Sequence, residues 1–209
     1  LRALQRFSII IKNMEVKHVI PVATAAVRNA KNNNEFILPA EKILSSKIRI
    51  LTKNQEAELA ALGLLSNFPV KNGIIADLGG GSLELILISK GKIKKLVSLD
   101  IGHLVPVDQK EVLQLLESVK WLKKSKNLKL YGTGGSFRSL GSAFIKNTSY
   151  PLFLIHGLSI KTETSVMLLD KMIDAKNKFP GIPQNRMPTI KNAANICLLY
   201  TSDAADDKQ

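Results

Sequence analysis

Residues 73–88 have the sequence GIIADLGGGSLELILI, in which two short apolar runs flank three glycines and a serine. Short apolar runs that are rich in isoleucine and bounded by glycine are typical of buried β-strands rather than of helices. The sequence therefore predicts a β-hairpin whose turn consists of Gly79, Gly80, Gly81 and Ser82. We expect the rest of the chain to be arranged around this hairpin.

The predicted turn has the composition of an anion-binding site. Glycine lets a ligand approach the backbone without meeting a Cβ atom, and successive exposed amide N–H groups form a concavity that binds anions. Asp77 precedes the turn and Glu84 follows it, so a bound phosphate has two carboxylates nearby. That arrangement requires a cation, and we expect Mg²⁺ or another divalent cation at Asp77 and Glu84. The alternative is a tight hairpin whose glycines serve only geometry and whose acids face water.

Two common nucleotide-binding loops do not fit this turn. A P-loop has a Lys and a Ser or Thr after its glycines, and no lysine follows the three glycines here. The dinucleotide-binding fingerprint has G-x-G-x-x-G spacing and opens a helix, whereas this turn leads to a second strand. A phosphate-binding β-hairpin remains.

A second glycine cluster, Gly132-Thr133-Gly134-Gly135-Ser136, lies between a predicted strand and a predicted helix. This order places the N-terminal N–H groups of a helix at the loop, where phosphate binds readily. The cluster is therefore a second candidate for phosphate binding.

The chain of 209 residues has a formal net charge of +13, which favours polyanionic partners. Its lysine clusters lack the interleaved aromatic residues of a single-strand binding surface, so we expect no specific nucleic-acid binding. The single cysteine, Cys197, excludes an internal disulfide framework and suits a reducing compartment. We find no signal peptide or membrane-spanning run and expect a soluble, cytoplasmic protein that does not contact a membrane.

The spacing of apolar residues predicts an α/β architecture, with strands alternating with helices and a meander near residues 74–99. Either Thr52 or Asn54 is the expected N-cap of the helix that contains Glu56. The pattern breaks at residues 68–73, the expected domain hinge. Helices are predicted at residues 1–13, 35–46, 54–65, 108–124, 137–144, from 162 and at 186–199, and further strands at 17–24, 48–51, 93–99 and 128–131.

Six short motifs in order give the chain a family resemblance. They are Ala23-Thr24-Ala25-Ala26-Val27-Arg28, Glu56-Ala57, the run from Asp77 to Glu84, the second glycine cluster, His156-Gly157 and Pro180-Gly181-Ile182. In this combination, over about residues 15–197, the chain resembles the exopolyphosphatase/guanosine pentaphosphate phosphohydrolase (Ppx/GppA) family.

The resemblance implies a fold of the actin-like or sugar-kinase-like ATPase superfamily, built from two ribonuclease-H-like domains. It assigns residues 1–68 to an incomplete first domain and residues 69–198 to the second, which we expect to be incomplete at its end. The family begins with another Gly-Ser hairpin that carries an Asp, and this sequence lacks it. We therefore expect impaired turnover from the chain as it stands. The acidic residues 199–209 resemble adaptor read-through, and we expect this tail to be non-native.

The resemblance also implies the roles of individual residues. Glu56 corresponds to the catalytic carboxylate and Arg28 to an arginine near the transferred phosphate, although Thr52-Lys53 replaces the usual Ser-Gly before Glu56. Asp77 and Glu84 correspond to the acids that hold the metal. Phosphate binding is assigned to Gly79, Gly80, Gly81 and Ser82 and to Gly134, Gly135 and Ser136.

The chemistry of these residues agrees with the resemblance. A carboxylate can orient or deprotonate a water molecule, and arginine matches the geometry of phosphate. The competing interpretations are an acid in the first turn of a helix, stabilised by the helix dipole, for Glu56 and a surface salt bridge for Arg28. His18, His103 and His156 have no evident partners, so the sequence offers no Ser-His-Asp or Cys-His arrangement.

Together these features predict a phosphohydrolase that releases terminal phosphate from inorganic polyphosphate or guanosine pentaphosphate, by metal-assisted attack of water. The resemblance implies a place in the stringent response and leaves open a homodimer of the full-length parent. Two alternatives remain: a non-catalytic regulator that binds guanosine tetra- or pentaphosphate, and an ATP-dependent kinase of the same superfamily. The motif around Glu56 argues against the kinase.

Overall fold

The computed structural model describes residues 1–105, 108–125, 127–176 and 178–202. The chain divides into two compact units, Leu1–Glu56 and Ala57–Gln209. The domain boundary predicted after residue 68 stays a prediction. The greater part of the predicted tail, residues 203–209, lies outside the described residues.

The first unit combines helices with a small parallel sheet. Val22 pairs with Arg49 and Ala23 with Ile50, whereas residues 17–21 of the predicted strand are not in a strand. Its core includes Ala23, Ile37, Ala40 and Leu51. Its elements are α1 (Arg2–Asn13), β1 (Val22–Ala23), α2 (Ala25–Arg28), α3 (Asn33–Leu44) and β2 (Arg49–Ile50).

Helix α3 contains Pro39 in its interior and continues through it. A proline in this position removes one backbone hydrogen bond and usually kinks or ends a helix. Here Ile37 and Ala40 are both buried on either side of the proline, so packing keeps the segment helical. The predicted helix at residues 35–46 is confirmed with its bounds shifted by two residues at each end.

Helix α4 (Lys53–Leu65) begins with a capping box. The backbone N–H of Gln55 donates to Oγ1 of Thr52 over 3.2 Å, and the N–H of Thr52 donates to Oε1 of Gln55 over 3.0 Å. Thr52, rather than Asn54, is therefore the N-cap. These two hydrogen bonds fix the start of the helix. Glu56 therefore lies in its first turn, where the helix dipole favours a negative charge.

The second unit is built on a four-stranded sheet with the order β5-β4-β3-β6. Strands β3, β4 and β5 form an antiparallel meander, and β6 lies parallel to β3. This confirms the predicted hairpin and the α/β class. The strands are β3 (Asn72–Leu78), β4 (Leu83–Ser89), β5 (Lys92–Leu99) and β6 (Leu130–Thr133).

The hairpin is buried on both faces, which explains why its strands are apolar without alternation. On one face, Ile75, Ile86 and Ile88 pack with Ala57 and Ala61 of α4. The residues of the opposite face belong to the larger core, which also includes side chains from the helices that follow β5. These helices are α5 (Gln109–Ser118), α6 (Lys120–Lys123), α7 (Gly134–Asn147), α8 (Thr162–Asp174) and α9 (Met187–Ser202).

The single helix predicted at residues 108–124 is wrong, because the helix breaks at Val119. Val119 has a ψ of 79°, outside the helical region. With the helix broken here, Val119 is buried, and Trp121 and Leu122, two and three residues later, pack against the same core.

The helix after β6 is longer than predicted, because Gly134, Gly135 and Ser136 form its first turn.

In the described part of the chain, no helix has both the length and the apolar character that crossing a bilayer requires.

Candidate functional site

The first unit brings together the two residues predicted to be catalytic. Nη1 of Arg28 lies 3.0 Å from Oε2 of Glu56 and donates to the backbone oxygen of Leu51 over 2.7 Å. The Arg28 side chain is 16% exposed and that of Glu56 is 26% exposed. Within the described residues, the buried Nε of Arg28 has no hydrogen-bond partner. The pair thus combines a carboxylate with a guanidinium group whose donors are only partly used.

The glycine turn of the second unit is closed by a hydrogen bond from the N–H of Gly79 to the oxygen of Ser82, over 2.9 Å. The loop after β5 also donates hydrogen bonds to the turn. The N–H of His103 donates to the oxygen of Gly79 over 3.1 Å, and that of Leu104 donates to the oxygen of Gly80 over 2.9 Å.

These contacts orient the amides of the turn. In a trans peptide the C=O and the next N–H point in opposite directions. Because the oxygens of Gly79 and Gly80 point toward the loop after β5, the N–H groups of Gly80 and Gly81 point away from it. Two successive amides on one side of a glycine turn are the concavity that binds anions. A Cβ atom on Gly81 would meet no atom within 4 Å, so the turn is open at this residue.

Asp77 and Glu84 lie directly opposite each other in the antiparallel pair β3–β4. Directly opposed residues point to the same face of a sheet, so the two side chains are neighbours. Glu84 is 4% exposed, and its Oε1 accepts a hydrogen bond from Oγ of Ser98 over 2.8 Å. When both carboxylates are ionised their charges repel, and a cation between them removes the repulsion.

The number of carboxylates limits the kind of metal site. Among the described residues, no group of three or more His, Cys, Asp or Glu side chains could hold a metal ion. Mg²⁺ is commonly held by one or two carboxylates together with water and substrate phosphate, and not by a cage of protein ligands. Asp77 and Glu84 fit this mode of binding.

The second glycine cluster adjoins the first through Asp77. Gly134 has a φ of +82°, and a Cβ atom there would overlap Oδ1 of Asp77. The neighbouring Thr133 pairs with Asp77 in the parallel register of β3 and β6. Ser136, which is 1% exposed, donates from its Oγ to the oxygen of Leu78 over 3.1 Å. The structure therefore places both glycine-rich segments and the two acids together in the second unit.

The sequence analysis missed two residues at this site. Arg186 lies against the second cluster, because a Cβ atom on Gly135 would be 2.7 Å from its Nη2. The only sequence signal was its position shortly after Pro180-Gly181-Ile182. His103 was considered partnerless, and this was wrong, because its Nδ1 lies 2.7 Å from the oxygen of Gly79 and 3.3 Å from Oγ of Ser136.

A pocket of about 1120 Å³ lies beside β6 within the second unit. Its lining includes Thr133 and Gly134 of the second glycine cluster and the aromatic rings of Tyr131 and Phe137. His156 also lines the pocket, with its ring centroid 4.8 Å from that of Phe68. The pocket therefore reaches the second cluster.

A model of the Ppx/GppA phosphatase family matches residues 1–200. The chain is 26% identical, over 209 aligned positions, to retrograde regulation protein 2 of Saccharomyces cerevisiae, with 86% of the chain and 35% of that protein covered. It is 28% identical to the bifunctional 3-dehydroquinate synthase/phosphatase of Fusobacterium nucleatum subsp. nucleatum, with 82% of the chain and 26% of that protein covered. The chain thus spans about a third of the length of these curated relatives, or less.

Solved structures share the fold. A Ppx/GppA family member from Aquifex aeolicus superposes with a TM-score of 0.75 at 23% identity, covering 98% of the chain and 72% of that structure. An exopolyphosphatase from Cytophaga hutchinsonii superposes with a TM-score of 0.76 at 21% identity, covering 95% of the chain and 72% of that structure. At these identities the likeness concerns the fold alone.

Proposed function

This chain belongs to the Ppx/GppA phosphatase family, and we propose that it works as a phosphohydrolase. The substrate we propose is inorganic polyphosphate or guanosine pentaphosphate, from which attack of water releases the terminal phosphate. One observation carries the proposal: the turn at residues 79–82 presents two amides on one side, next to two carboxylates that face each other across the hairpin.

The turn and the second glycine cluster suit a phosphoryl group. Phosphoryl transfer needs positioning and neutralisation of charge more than a covalent partner. The amides of Gly80 and Gly81 hold the anionic oxygens in the proposed mode of binding. The first turn of α7, at Gly134, Gly135 and Ser136, adds the N–H groups of a helix N-terminus.

Asp77 and Glu84 are the residues that we propose to hold Mg²⁺ or another divalent cation. When bound, such a cation neutralises charge on the phosphoryl oxygens. The chain itself supplies the two carboxylates and, through the hydrogen bond from Ser98, fixes the orientation of Glu84. The neighbouring Gly134 leaves room for the Asp77 carboxylate.

Glu56 and Arg28 have the chemistry that the reaction needs. In the proposed mechanism the Glu56 carboxylate orients a water molecule and accepts its proton as the water attacks phosphorus. Arg28, which is always charged, stabilises the negative charge that develops on the phosphoryl oxygens. Its hydrogen bonds to Leu51 and Glu56 hold the guanidinium group in place.

The experiment is an assay of phosphate release by the full-length parent, in which the first Gly-Ser hairpin is present, from polyphosphate and from guanosine pentaphosphate, with and without Mg²⁺. We expect Mg²⁺-dependent release from one of the two substrates. Glu56→Ala should lower kcat on the order of 10²- to 10⁴-fold, the usual contribution of a general base. Glu58→Ala, an exposed glutamate of the same helix, is the control and should leave kcat unchanged. Activity retained in the Glu56→Ala variant removes Glu56 from this role.

One observation favours a second candidate, a regulator that binds guanosine tetra- or pentaphosphate without hydrolysing it. One carboxylate oxygen of Glu56 is already engaged by Arg28, as expected for a structural ion pair. The yeast relative also carries a regulatory name. Tight binding of guanosine pentaphosphate with no release of phosphate, in the assay above, selects the regulator.

A further inference from the structure

The side chain of His103 is bonded to the glycine turn in a way that fixes its tautomer. The oxygen of Gly79 receives two contacts from this residue, one from the backbone N–H over 3.1 Å and one from Nδ1 over 2.7 Å. A carbonyl oxygen can only accept a hydrogen bond, so Nδ1 must carry the proton. Both the neutral Nδ1–H tautomer and the imidazolium ion satisfy this condition, and therefore the bond does not depend on the charge of the ring.

The same nitrogen also contacts the second glycine cluster. Oγ of Ser136 lies 3.3 Å from Nδ1 of His103. Since the hydroxyl proton of Ser136 is directed to the oxygen of Leu78, its oxygen is available to accept from Nδ1–H. His103 therefore joins residue 79 of the first turn to residue 136 of the second cluster.

The loop that carries His103 is itself anchored. Nδ2 of Asn192, in α9, donates to the oxygen of Gly102 over 3.0 Å and to that of Val105 over 2.6 Å. Gly102 approaches the turn so closely that a Cβ atom on it would overlap the backbone of Gly80. The imidazole is thus held between a fixed loop and the turn.

We propose that His103 is a positioning residue of the phosphate-binding turn, and this inference rests on the proposed function of that turn. A peptide between two glycines rotates easily, because neither residue has a Cβ atom that restricts its backbone. Two donors on the oxygen of Gly79 prevent the Gly79–Gly80 peptide from rotating. The N–H of Gly80 is then held on the side of the turn that the loop leaves open, toward the bound phosphate.

The first test is the tautomer of His103 in the wild-type protein. Long-range ¹H–¹⁵N spectra of the imidazole distinguish Nδ1–H from Nε2–H. We expect the Nδ1–H pattern at high pH. The Nε2–H tautomer would leave an unprotonated Nδ1 facing the carbonyl oxygen of Gly79, with no proton between them, and would overturn the inference. This measurement involves no substrate, so it judges the hydrogen bond independently of the proposed function.

The second test uses three variants and tripolyphosphate as the probe. The side-chain amide of Asn can place an N–H close to the position of Nδ1, whereas Gln extends it by one carbon. We expect His103→Asn to resemble the wild type, and His103→Ala and His103→Gln to weaken binding about five- to tenfold, as for loss of one hydrogen bond. In a hydrolysis assay the loss should appear in KM with kcat little changed, because the turn binds ground state and transition state alike.

His18→Ala, which removes an exposed histidine of the first unit, is the control for both assays. Equal affinity of the wild type and His103→Ala for tripolyphosphate overturns the positioning role and leaves the proposed function standing. No binding by the folded wild type overturns the proposed function and, with it, this inference. Failure of His103→Asn to restore binding when His103→Ala has lost it also contradicts the hydrogen-bond explanation.

Discussion

Gly134 has an unusual backbone conformation and lies against Asp77, one of the two acids of the candidate site. Its φ of +82° lies in the left-handed region, which side chains with a Cβ atom rarely adopt. A Cβ atom here would also meet the carboxylate of Asp77, so the glycine leaves space for one of the two acids. Conformation and contact therefore require glycine for separate reasons.

We predict that Gly134→Ala destabilises the protein by about 1–3 kcal/mol through backbone strain and displaces Asp77. We expect the rate of phosphate release to fall, and the remaining rate to depend less on Mg²⁺, because Asp77 is a proposed ligand of the cation. The measurements are urea unfolding and the phosphate assay. Gly63→Ala is the matched control, because a Cβ atom there meets nothing within 4 Å. Because alanine favours a helix more than glycine does, Gly63→Ala should raise the free energy of unfolding by about 0.5–1 kcal/mol. A stable, fully active Gly134→Ala variant would contradict the assignment.

Cys197 is buried in the core, and burial raises the pKa of its thiol from 9.0 to about 12. In the unfolded chain the thiol ionises at its ordinary pKa, whereas the native thiol stays protonated. Its contribution to stability is therefore complete below pH 9 and decreases as the pH rises from 9 toward 12.

We predict that the buried thiol of Cys197 resists a thiol reagent at pH 8 in the native protein and that unfolding in urea makes it react. Rapid labelling of the folded protein at pH 8 would be the contrary result.

Individual site residues differed in how far the sequence could predict them. Asp77 and Glu84 are close in sequence, and the hairpin alone makes them neighbours. His103 and Ser136 are separated by 33 residues, and their contact depends on how a loop and a helix pack. No periodicity or spacing encodes such a contact. Arg186 lies against Gly135 for the same kind of tertiary reason.

Strands and helices were predictable where local sequence and tertiary packing agree. The hairpin satisfies both, since its isoleucine-rich runs are buried on both faces. The break at Val119 was not predictable, because no glycine or proline marks it and the apolar spacing continues through it. The strand at residues 17–24 shortens to two residues because only Val22 and Ala23 find a partner in β2.

The connection between α3 and β2 depends on Glu41. Its carboxylate accepts hydrogen bonds from Nζ of Lys47 over 2.8 Å and from the backbone N–H of Ile48 over 2.9 Å. These two contacts, with that of Lys47 the larger, lower the pKa of Glu41 from its ordinary value of 4.5. A lowered pKa contributes stability that is present above pH 4.5 and is lost as the pH falls through the folded value.

We therefore predict that Glu41→Gln is less stable than the wild type at pH 7 and that the difference shrinks in acid. Urea unfolding at pH 7 and at pH 3 measures the difference. The control is Glu117→Gln, an exposed glutamate of α5. A stability difference between the wild type and Glu41→Gln that does not change between the two pH values would show that ionisation of Glu41 does not contribute.

At the scale of the whole molecule, the candidate site residues are divided between the two compact units. The first contains the Arg28–Glu56 pair, and the second contains both glycine-rich segments, Asp77 and Glu84. The family match spans both units. The net charge of +13 favours an anionic substrate in general, whereas we propose that the amides of the glycine turn select a small anion such as a phosphoryl group.

The central claim is that the glycine turn binds a phosphoryl group with Asp77 and Glu84 holding a divalent cation beside it. Calorimetric titration of tripolyphosphate, with Mg²⁺ and then with EDTA, tests it most directly. We predict that the wild type binds more tightly in Mg²⁺ and that Asp77→Asn loses this gain, by on the order of a hundredfold. The exposed Asp170→Asn of α8 should keep the gain. Binding that neither Mg²⁺ nor Asp77→Asn alters would contradict the claim.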